Sequence, residues 1–255
     1  MRARSRLPTL VLFALAGGCR IDVGSDLLWT SRFETADFSE WTSVPGGQAE
    51  AFPMPPNMIA VADDQAHTGR FAAALTITAG PDGVQESSTL VRAGDLPAEA
   101  YYSAWYYLPR SVSVGTFWVL FKFRERTNAD DPTTAAELYD MDLATLPSGE
   151  MTLLLYDHTT SANISLAVAD PLVPVEAWFQ LEAFYRAAND ATGRLTFWLN
   201  GQQVVDVTGP TSPTSWVEWD ACSIGENLTP QTVTLYIDDC AVSRSRVGPT
   251  GQLTE

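Results

Sequence analysis

The sequence has few of the residues on which nucleic-acid binding and conventional acid–base catalysis depend. It contains a single lysine, Lys122, two histidines, His67 and His158, and three cysteines in 255 residues. Its 31 acidic residues outnumber its 15 basic ones, which gives a formal net charge of −16. Because nucleic-acid binding needs a basic surface that displaces counterions, this balance argues against such a partner. With 45% apolar and 11% aromatic residues, the chain can form a sizeable core.

Apolar runs long enough to span a membrane are also missing, and the N-terminus holds a shorter one. Three arginines are followed by an apolar stretch over 7–16 and by Gly17 and Gly18 before Cys19. This layout is typical of a secretion signal, which is too short to cross a bilayer as a stable helix.

The small residues followed by cysteine resemble a bacterial lipoprotein processing site. The resemblance implies a signal peptide over 1–18, lipidation of Cys19 and a tether over 19–26, with the lipid as the membrane contact. Arg20 rather than aspartate after the cysteine implies the outer membrane as the destination. Since Ala16 stands where such sites usually carry a larger apolar residue, ordinary signal-peptide cleavage, with a secreted or periplasmic product, is the alternative.

The two remaining cysteines, Cys222 and Cys240, lie in strand-like runs separated by ENLTPQ. A hairpin folded about residue 231 would place them opposite each other, at a separation that a disulfide can close. An even pair in an oxidising compartment favours a disulfide, and two buried free thiols are the alternative.

Apolar and polar residues alternate with a period of two over most of the chain, which predicts β-strands. The predicted strands span 27–34, 71–78, 87–92, 100–108, 116–126, 136–143, 151–157, 163–169, 178–187, 194–207, 216–224 and 232–243. Turn residues separate them, and no stretch has a sustained helical period. Twelve strands suit an all-β, two-sheet antiparallel jelly-roll sandwich, so we predict one domain over 27–245 and a polar tail over 246–255.

Several motifs, taken in order, resemble the concanavalin A-like lectin and glucanase superfamily. They are LLWTSRFETADFSEW, AHTGRFAAALTIT, WFQLEAFYRAANDATGRLTFWLNG and TLYIDDCAVS. Within the superfamily they look most like polysaccharide lyases of the heparin-lyase and alginate-lyase kind and like laminin-G-like bacterial modules. The resemblance implies a sandwich with a glycan site on its concave sheet. Lectins, glycosidases and lyases share this fold, so it leaves the function open.

A glycosidase site is one candidate, and the sequence argues against it. Retaining members of the superfamily carry Glu-x-Asp-x-Glu on one strand, which places three carboxylates on the concave face. In the run ELYDMD, Asp140 and Asp142 share a face, but Leu138 stands where the nucleophile would lie. A regular strand turns Glu137 to the opposite face, and no glycine indicates a bulge. We therefore do not expect glycoside hydrolase activity.

The run TFWVLFKFRER gathers cations on one strand face. Alternation places Trp118, Lys122, Arg124 and Arg126 together, and puts the intervening phenylalanines and Val119 in the core. The cations could hold the carboxylate of an acidic sugar, and the tryptophan could stack on a sugar ring. The alternative is a structural strand whose cations form salt bridges with neighbouring carboxylates, namely Asp140, Asp142 and Glu182.

A lyase site is a further candidate. A polysaccharide lyase must neutralise a uronate carboxylate, remove the C5 proton and protonate the leaving oxygen. Tyr156 and His158 share a strand face and would be the catalytic pair if they lie beside Lys122 and Arg124. The lyase motifs Gln-x-His and Tyr-x-Lys-x-Gly-x-Tyr-x-Gln are missing, and His67 is typical of a turn.

The resemblance also implies a structural Ca²⁺ ion that joins the first strand to the last on the convex side. Its ligands would be the carboxylate of Glu34, the carbonyl of Gly69, and Asp238 or Asp239, since hard oxygen atoms suit Ca²⁺. The alternative is that these residues cap turns without a metal.

These patterns leave three hypotheses open. The first is a lipid-anchored envelope protein that binds a polysaccharide or other glycan through Trp118, Lys122, Arg124, Asp140 and Asp142. The second is a polysaccharide lyase that cleaves a uronate glycan by β-elimination, with the Tyr156–His158 pair as catalysts. The third is a structural or adhesive module without a sugar site. Because histidine and lysine are scarce, binding ranks above catalysis.

Overall fold

The computed structural model describes residues 26–42, 48–52, 57–80, 84–93, 96–128, 131–214 and 216–251. The predicted signal peptide and Cys19 lie outside this part of the chain. Within it, the strands are β1 (Leu27–Ser31), β2 (Gln48–Phe52), β3 (Met58–Ala62), β4 (Ala72–Thr78), β5 (Glu86–Arg92), β6 (Glu99–Tyr107), β7 (Ser113–Arg126), β8 (Ala135–Thr145), β9 (Met151–Asp157), β10 (Ala162–Ile164), β11 (Trp178–Arg186), β12 (Arg194–Leu199), β13 (Gln202–Thr208), β14 (Val217–Thr229) and β15 (Thr232–Ser243).

Helical structure is slight in the described residues. The short helix α1 spans Ser39–Thr42, and one 3-10 turn spans Pro132–Thr134. No helix in the described part of the chain has the length and apolar character that a membrane span requires.

The strands form two antiparallel sheets. The eight-stranded sheet has the order β13–β12–β11–β6–β15–β4–β3, with β1 also paired to β15, and the seven-stranded sheet has the order β10–β9–β8–β7–β14–β5–β2. The prediction of an all-β, two-sheet jelly-roll sandwich is confirmed. The sequence does not predict β2 and β3, and it joins β12 and β13, which the structure separates at the turn Asn200–Gly201.

Aromatic side chains between the sheets form the centre of the core. Trp219 on β14 is fully buried, and its ring lies 5.7 Å from that of Tyr102 on β6 and 5.3 Å from that of Phe121 on β7. Trp41 of α1 closes the same cluster at 5.9 Å from Trp219. Since the seven-stranded sheet directs these rings inward, its opposite face is left for polar side chains.

The predicted Cys222–Cys240 disulfide is wrong, because the hairpin on which it depends does not form. β14 continues through the predicted loop to Thr229, and it pairs with β5 and β7, whereas β15 crosses into the other sheet. Cys222 packs beside Val119 and Ile224, while Cys240 lies in the main core. Both thiols are buried and free, which matches the alternative stated above.

Candidate functional site

Two adjoining clefts lie on the outer face of the seven-stranded sheet, and together we call them the groove. The β9 cleft, of about 440 Å³, is lined by side chains that include Asp140, Asp142, Tyr156, His158 and Asn163. The β14 cleft, of about 410 Å³, is lined by side chains that include Arg124, Arg126, Glu218 and Asp220. Gln85, Lys122, Glu137 and Ile224 line both clefts, so the groove is continuous.

A bulge in β7 decides which of its side chains face the groove. The register with β8 shifts between Val119 and Phe121, and the consecutive residues Leu120 and Phe121 both enter the core. Trp118 is therefore fully buried, and its Nε1–H donates to Ser223 Oγ at 2.9 Å. The prediction that Trp118 shares a face with the lysine and binds sugar is wrong. Val119, predicted to be in the core, lines the β9 cleft instead.

A second bulge, in β8, brings Glu137 into the groove. Arg124 pairs with Glu137 and the preceding β7 residue pairs with Tyr139, so Leu138 is the additional residue. Leu138 and Tyr139 both enter the core. The expectation that Glu137 faces away from Asp140 is therefore wrong, because two consecutive apolar side chains accommodate a bulge without glycine.

The β9 cleft is built around a network of charged hydrogen bonds. The Nζ of Lys122 lies 2.6 Å from Glu137 Oε1 and 3.5 Å from Asp140 Oδ2. The Nε2 of His158 lies 2.8 Å from Asp140 Oδ2, and its Nδ1 lies 3.4 Å from Glu137 Oε2. The ring of Tyr156 stands edge-on to the imidazole, with centroids 4.9 Å apart. The structure thus brings together four of the predicted site residues.

Burial and neighbouring charges shift several pKa values here. Burial raises the pKa of Asp142 to about 8, and Asp140 adds to the effect by repulsion. The hydrogen bond to Asp140 raises the pKa of His158. Burial alone would raise the pKa of Glu137, but Lys122 outweighs it and lowers that pKa. At neutral pH the cleft therefore holds the protonated carboxyl group of Asp142 beside the ionised one of Glu137.

The β14 cleft contains the remaining cations of β7. The fully buried Glu218 accepts from Arg124 Nη1 at 2.8 Å and also from Arg126 Nε. Burial raises the pKa of Asp220 well above its ordinary value, and repulsion from Glu218 acts in the same direction. Glu182, a predicted salt-bridge partner of this strand, lies on β11 in the other sheet, so that expectation is wrong.

Some buried acceptors of the groove are left unpaired. Within the described part of the chain, the Oδ1 atoms of Asp140, Asp142 and Asp220 are buried and have no hydrogen-bond partner. A bound molecule with hydroxyl or other donors could satisfy them.

One trio of possible metal ligands occurs among the described residues. Ligand atoms of Glu137, Asp140 and His158 lie within 4.8 Å of one another. The ammonium of Lys122 already contacts both carboxylates, so a cation is in place and we assign no metal to the trio.

The structure adds three residues that the sequence analysis did not assign to the site. The amides of Gln85 and Asn163 line the β9 cleft, and Phe117, predicted to be in the core, is a half-buried aromatic ring in the same cleft. Asn163 pairs directly with Tyr156. Because β10 has only three residues, its sequence carries no periodicity that could have indicated this position.

The residues predicted to bind Ca²⁺ gather around the turn at 67–71. Glu34 Oε1 accepts from the backbone N–H groups of Arg70 and Phe71 at 2.8 and 3.0 Å. Gly69 has a φ of 67°, and a Cβ atom there would lie 2.3 Å from Glu34 Oε1. The glycine thus lets the carboxylate approach the turn.

The two late aspartates serve the same turn from β15. Asp238 Oδ2 accepts from the backbone N–H groups of His67 and Thr68 at 2.8 and 3.1 Å. Asp239 contacts His67 Nδ1 at 2.6 Å and Arg32 Nε at 3.4 Å. N–H donors and a guanidinium contact these oxygens, so the carboxylates cap the turn as in the alternative stated above. Calcium binding is not tested by these contacts and stays a prediction.

No protein-family model and no curated protein matches this sequence. Solved structures match it by shape. The endo-β-1,4-glucuronan lyase of the fungus Trichoderma reesei has a TM-score of 0.57 and 11% identity, over 78% of this chain and 91% of the lyase. A variant of alginate lyase Aly36B in complex with an alginate trisaccharide has a TM-score of 0.57 and 12% identity, over 86% of this chain and 98% of that lyase. The marine PL-14 alginate lyase of Aplysia kurodai has a TM-score of 0.52 and 10% identity, over 86% of this chain and 99% of that lyase.

The chain has the fold of these polysaccharide lyases. The resemblance to polysaccharide lyases is confirmed at the level of fold. Identities this low show architecture and leave the chemistry to be argued from the groove itself.

Proposed function

We propose that the protein binds a polysaccharide in the groove of the seven-stranded sheet. The observation that carries the proposal is the pair of buried, unpaired carboxylate oxygens of Asp140 and Asp142 in an open cleft. Sugar hydroxyls are donors that such oxygens accept, while the amides of Gln85 and Asn163 can donate to sugar oxygens. Apolar surface with a few convergent polar groups is typical of a binding cleft. The fold shared with a lyase in complex with a trisaccharide supports this proposal.

Calorimetric titration of the full chain against a panel of neutral and uronic polysaccharides tests the proposal. We expect Asn163→Ala and Tyr156→Phe each to weaken binding about tenfold, the loss of roughly one net hydrogen bond. Gln203→Ala, on an exposed position of β13 in the other sheet, is the control and should bind normally. Binding by no member of the panel would overturn the proposal and favour a structural or adhesive module.

The second candidate is a polysaccharide lyase, which the convergence of Lys122, Tyr156 and His158 in one cleft favours. The hydrogen bond to Asp140 raises the pKa of His158 and so favours the imidazolium form, which would neutralise the uronate carboxylate. The phenolate of Tyr156 would then take the C5 proton and pass it to the leaving oxygen, while the C4–O bond breaks and a C4–C5 double bond forms. Release of unsaturated uronate product, followed by ultraviolet absorbance, would support this reaction if Tyr156→Phe abolished it.

We also propose that Cys19 carries a lipid that anchors the protein in the bacterial outer membrane. The N-terminal motif supports this proposal. Metabolic labelling with a radioactive fatty acid should mark the wild-type protein and not Cys19→Ser. Equal absence of label from both proteins would instead favour a secreted or periplasmic product.

A further inference from the structure

We infer that the groove takes a glycan without carboxylates, a neutral and hydroxyl-rich polysaccharide rather than a polyuronate. This inference rests on the proposed function and names its substrate class. Four observations carry it: the state of the cations, the excess of carboxylates, the available hydrogen-bond partners and the charge of the whole chain.

The cations that would hold a uronate are already engaged. The side chain of Lys122 is 4% exposed and is held between Glu137 and Asp140. Arg126 is 2% exposed and is bound to Glu218. Arg124, at 28% exposure, shares that same carboxylate. A uronate that bound Lys122 or Arg126 would have to displace the buried carboxylate of Asp140 or Glu218, which leaves the displaced charge uncompensated.

Carboxyl groups outnumber the permanent cations along the groove. Among the described residues that line the two clefts, five carboxyl groups face three cations and one histidine. The unpaired oxygens of Asp140, Asp142 and Asp220 belong to residues that line these clefts. A uronate carboxylate offers these oxygens only acceptors, whereas a hydroxyl group can donate a hydrogen bond to them.

A neutral sugar satisfies what the groove leaves unpaired. Its hydroxyl groups can donate to the aspartate oxygens and accept from the amides of Gln85 and Asn163. Its apolar ring face can pack on Phe117, the aromatic side chain of the β9 cleft. None of these contacts breaks a salt bridge of the groove.

The net charge of the whole chain also favours a neutral glycan over a polyuronate. With a formal net charge of −16, the protein repels polyanions over about a Debye length, roughly 10 Å at 0.1 M salt. A neutral polysaccharide approaches without this barrier. Since β-elimination requires a uronate, the inference also ranks binding above lyase activity.

Matched polysaccharide pairs test the inference. Glucuronan and cello-oligosaccharides share a β-1,4-glucose backbone and differ at C6, and alginate can be compared with its carboxyl-reduced form. For each pair that binds the full chain, we expect the carboxyl-free member to bind at least about tenfold more tightly. Tighter binding of a uronate member, abolished by Arg124→Gln, would overturn the inference while leaving the proposed function intact. Failure of both members of every pair would overturn the proposed function as well.

Ionic strength gives a second test that needs no variant. If the groove repels uronates, added salt should strengthen uronate binding and leave neutral binding unchanged. If cations clamp the uronate, added salt should weaken its binding. The double variant Asp140→Asn/Asp142→Asn should reduce the preference for the neutral member about tenfold, and the exposed control Asp63→Asn should not.

Discussion

At the scale of single residues, Lys122 holds the groove together. It is nearly inaccessible and contacts Glu137 and Asp140, whose carboxylates would otherwise repel each other. Surrounding carboxylates raise its pKa even though burial opposes the charge, so it stays an ammonium. Lys122 therefore acts as a permanent buried cation that stabilises the two carboxylates.

Replacing this cation tests its role. We expect Lys122→Met to destabilise the fold by about 3–5 kcal/mol, because it leaves buried carboxylates without their partner. Urea unfolding followed by circular dichroism measures the change. Arg186→Met, which breaks the exposed ion pair with Glu99, should cost about 1 kcal/mol or less. Equal losses in the two variants would contradict a structural role for Lys122.

The protonation of Asp142 predicts a pH dependence of stability. Burial raises its pKa from 3.8 to about 8, so between these values the unfolded chain ionises the residue and the folded chain does not. Fewer protons are then bound in the unfolded state, and stability falls as pH rises through this window. Between about pH 5 and pH 8, we expect the free energy of unfolding of Asp142→Asn to fall by about 1–3 kcal/mol less than that of the wild-type protein.

Thermal and urea unfolding of both proteins at the two pH values measures this difference. The exposed Asp63→Asn should follow wild type at both, since it removes the same charge without the burial. A constant difference between Asp142→Asn and wild type would show that Asp142 is ionised throughout.

At the scale of elements, the two bulges decide what the groove contains. The alternation that predicts β7 and β8 also predicts that Lys122, Asp140, Tyr156 and His158 face one side, and the structure brings them together. It fails for Trp118, because it assumes an unbroken period of two. The sequence does contain a signal for a bulge, which is a pair of adjacent apolar residues such as Leu120 and Phe121. In a regular strand two adjacent side chains point to opposite faces, so both can enter the core only at a bulge.

Deleting the additional residue of the β8 bulge tests this account. Without Leu138, Tyr139 still faces the core and Glu137 still faces the groove, so the strand becomes regular. We expect this variant to fold, with about 2–5 kcal/mol lost for the missing buried leucine. Deletion of Leu153, in β9, whose register with β8 is regular, should prevent folding because it moves the core-facing residues on one side of the deletion to the outer face. Urea unfolding distinguishes the two, and equal behaviour would argue against the bulge.

At the scale of the whole molecule, the sequence predicts the sandwich but not which sheet a strand joins. The alternation of apolar and polar residues reflects which face each side chain occupies in its own strand, and nearly every strand predicted from it is present. The crossing at Gln231 depends on which distant strands β14 and β15 pair with, and no local pattern carries that information. The sequence around Cys222 and Cys240 is therefore compatible with a hairpin, but the pairing of each strand with distant strands prevents that hairpin.

The free thiols give a prediction for the intact molecule. In full-length Cys19→Ser, we expect neither Cys222 nor Cys240 to react with a thiol reagent while the protein is folded, because both are fully buried. After denaturation without a reductant, both should react. Titration with a chromogenic thiol reagent counts them, and a chain that reacts only after reduction would contain the disulfide that the structure excludes.

The pairing of β1 with β15 brings the two ends of the sandwich together. The N–H of Arg244 donates to the carbonyl of Asp26 at 2.9 Å, and both strands belong to the sheet that lies behind the groove. A short linker across this contact could join the ends, and the chain could be reopened at the Asn200–Gly201 turn of the same sheet. Such a circular permutant would keep every strand pair beneath the groove, so the architecture of the groove and the order of the chain are separable properties of this molecule.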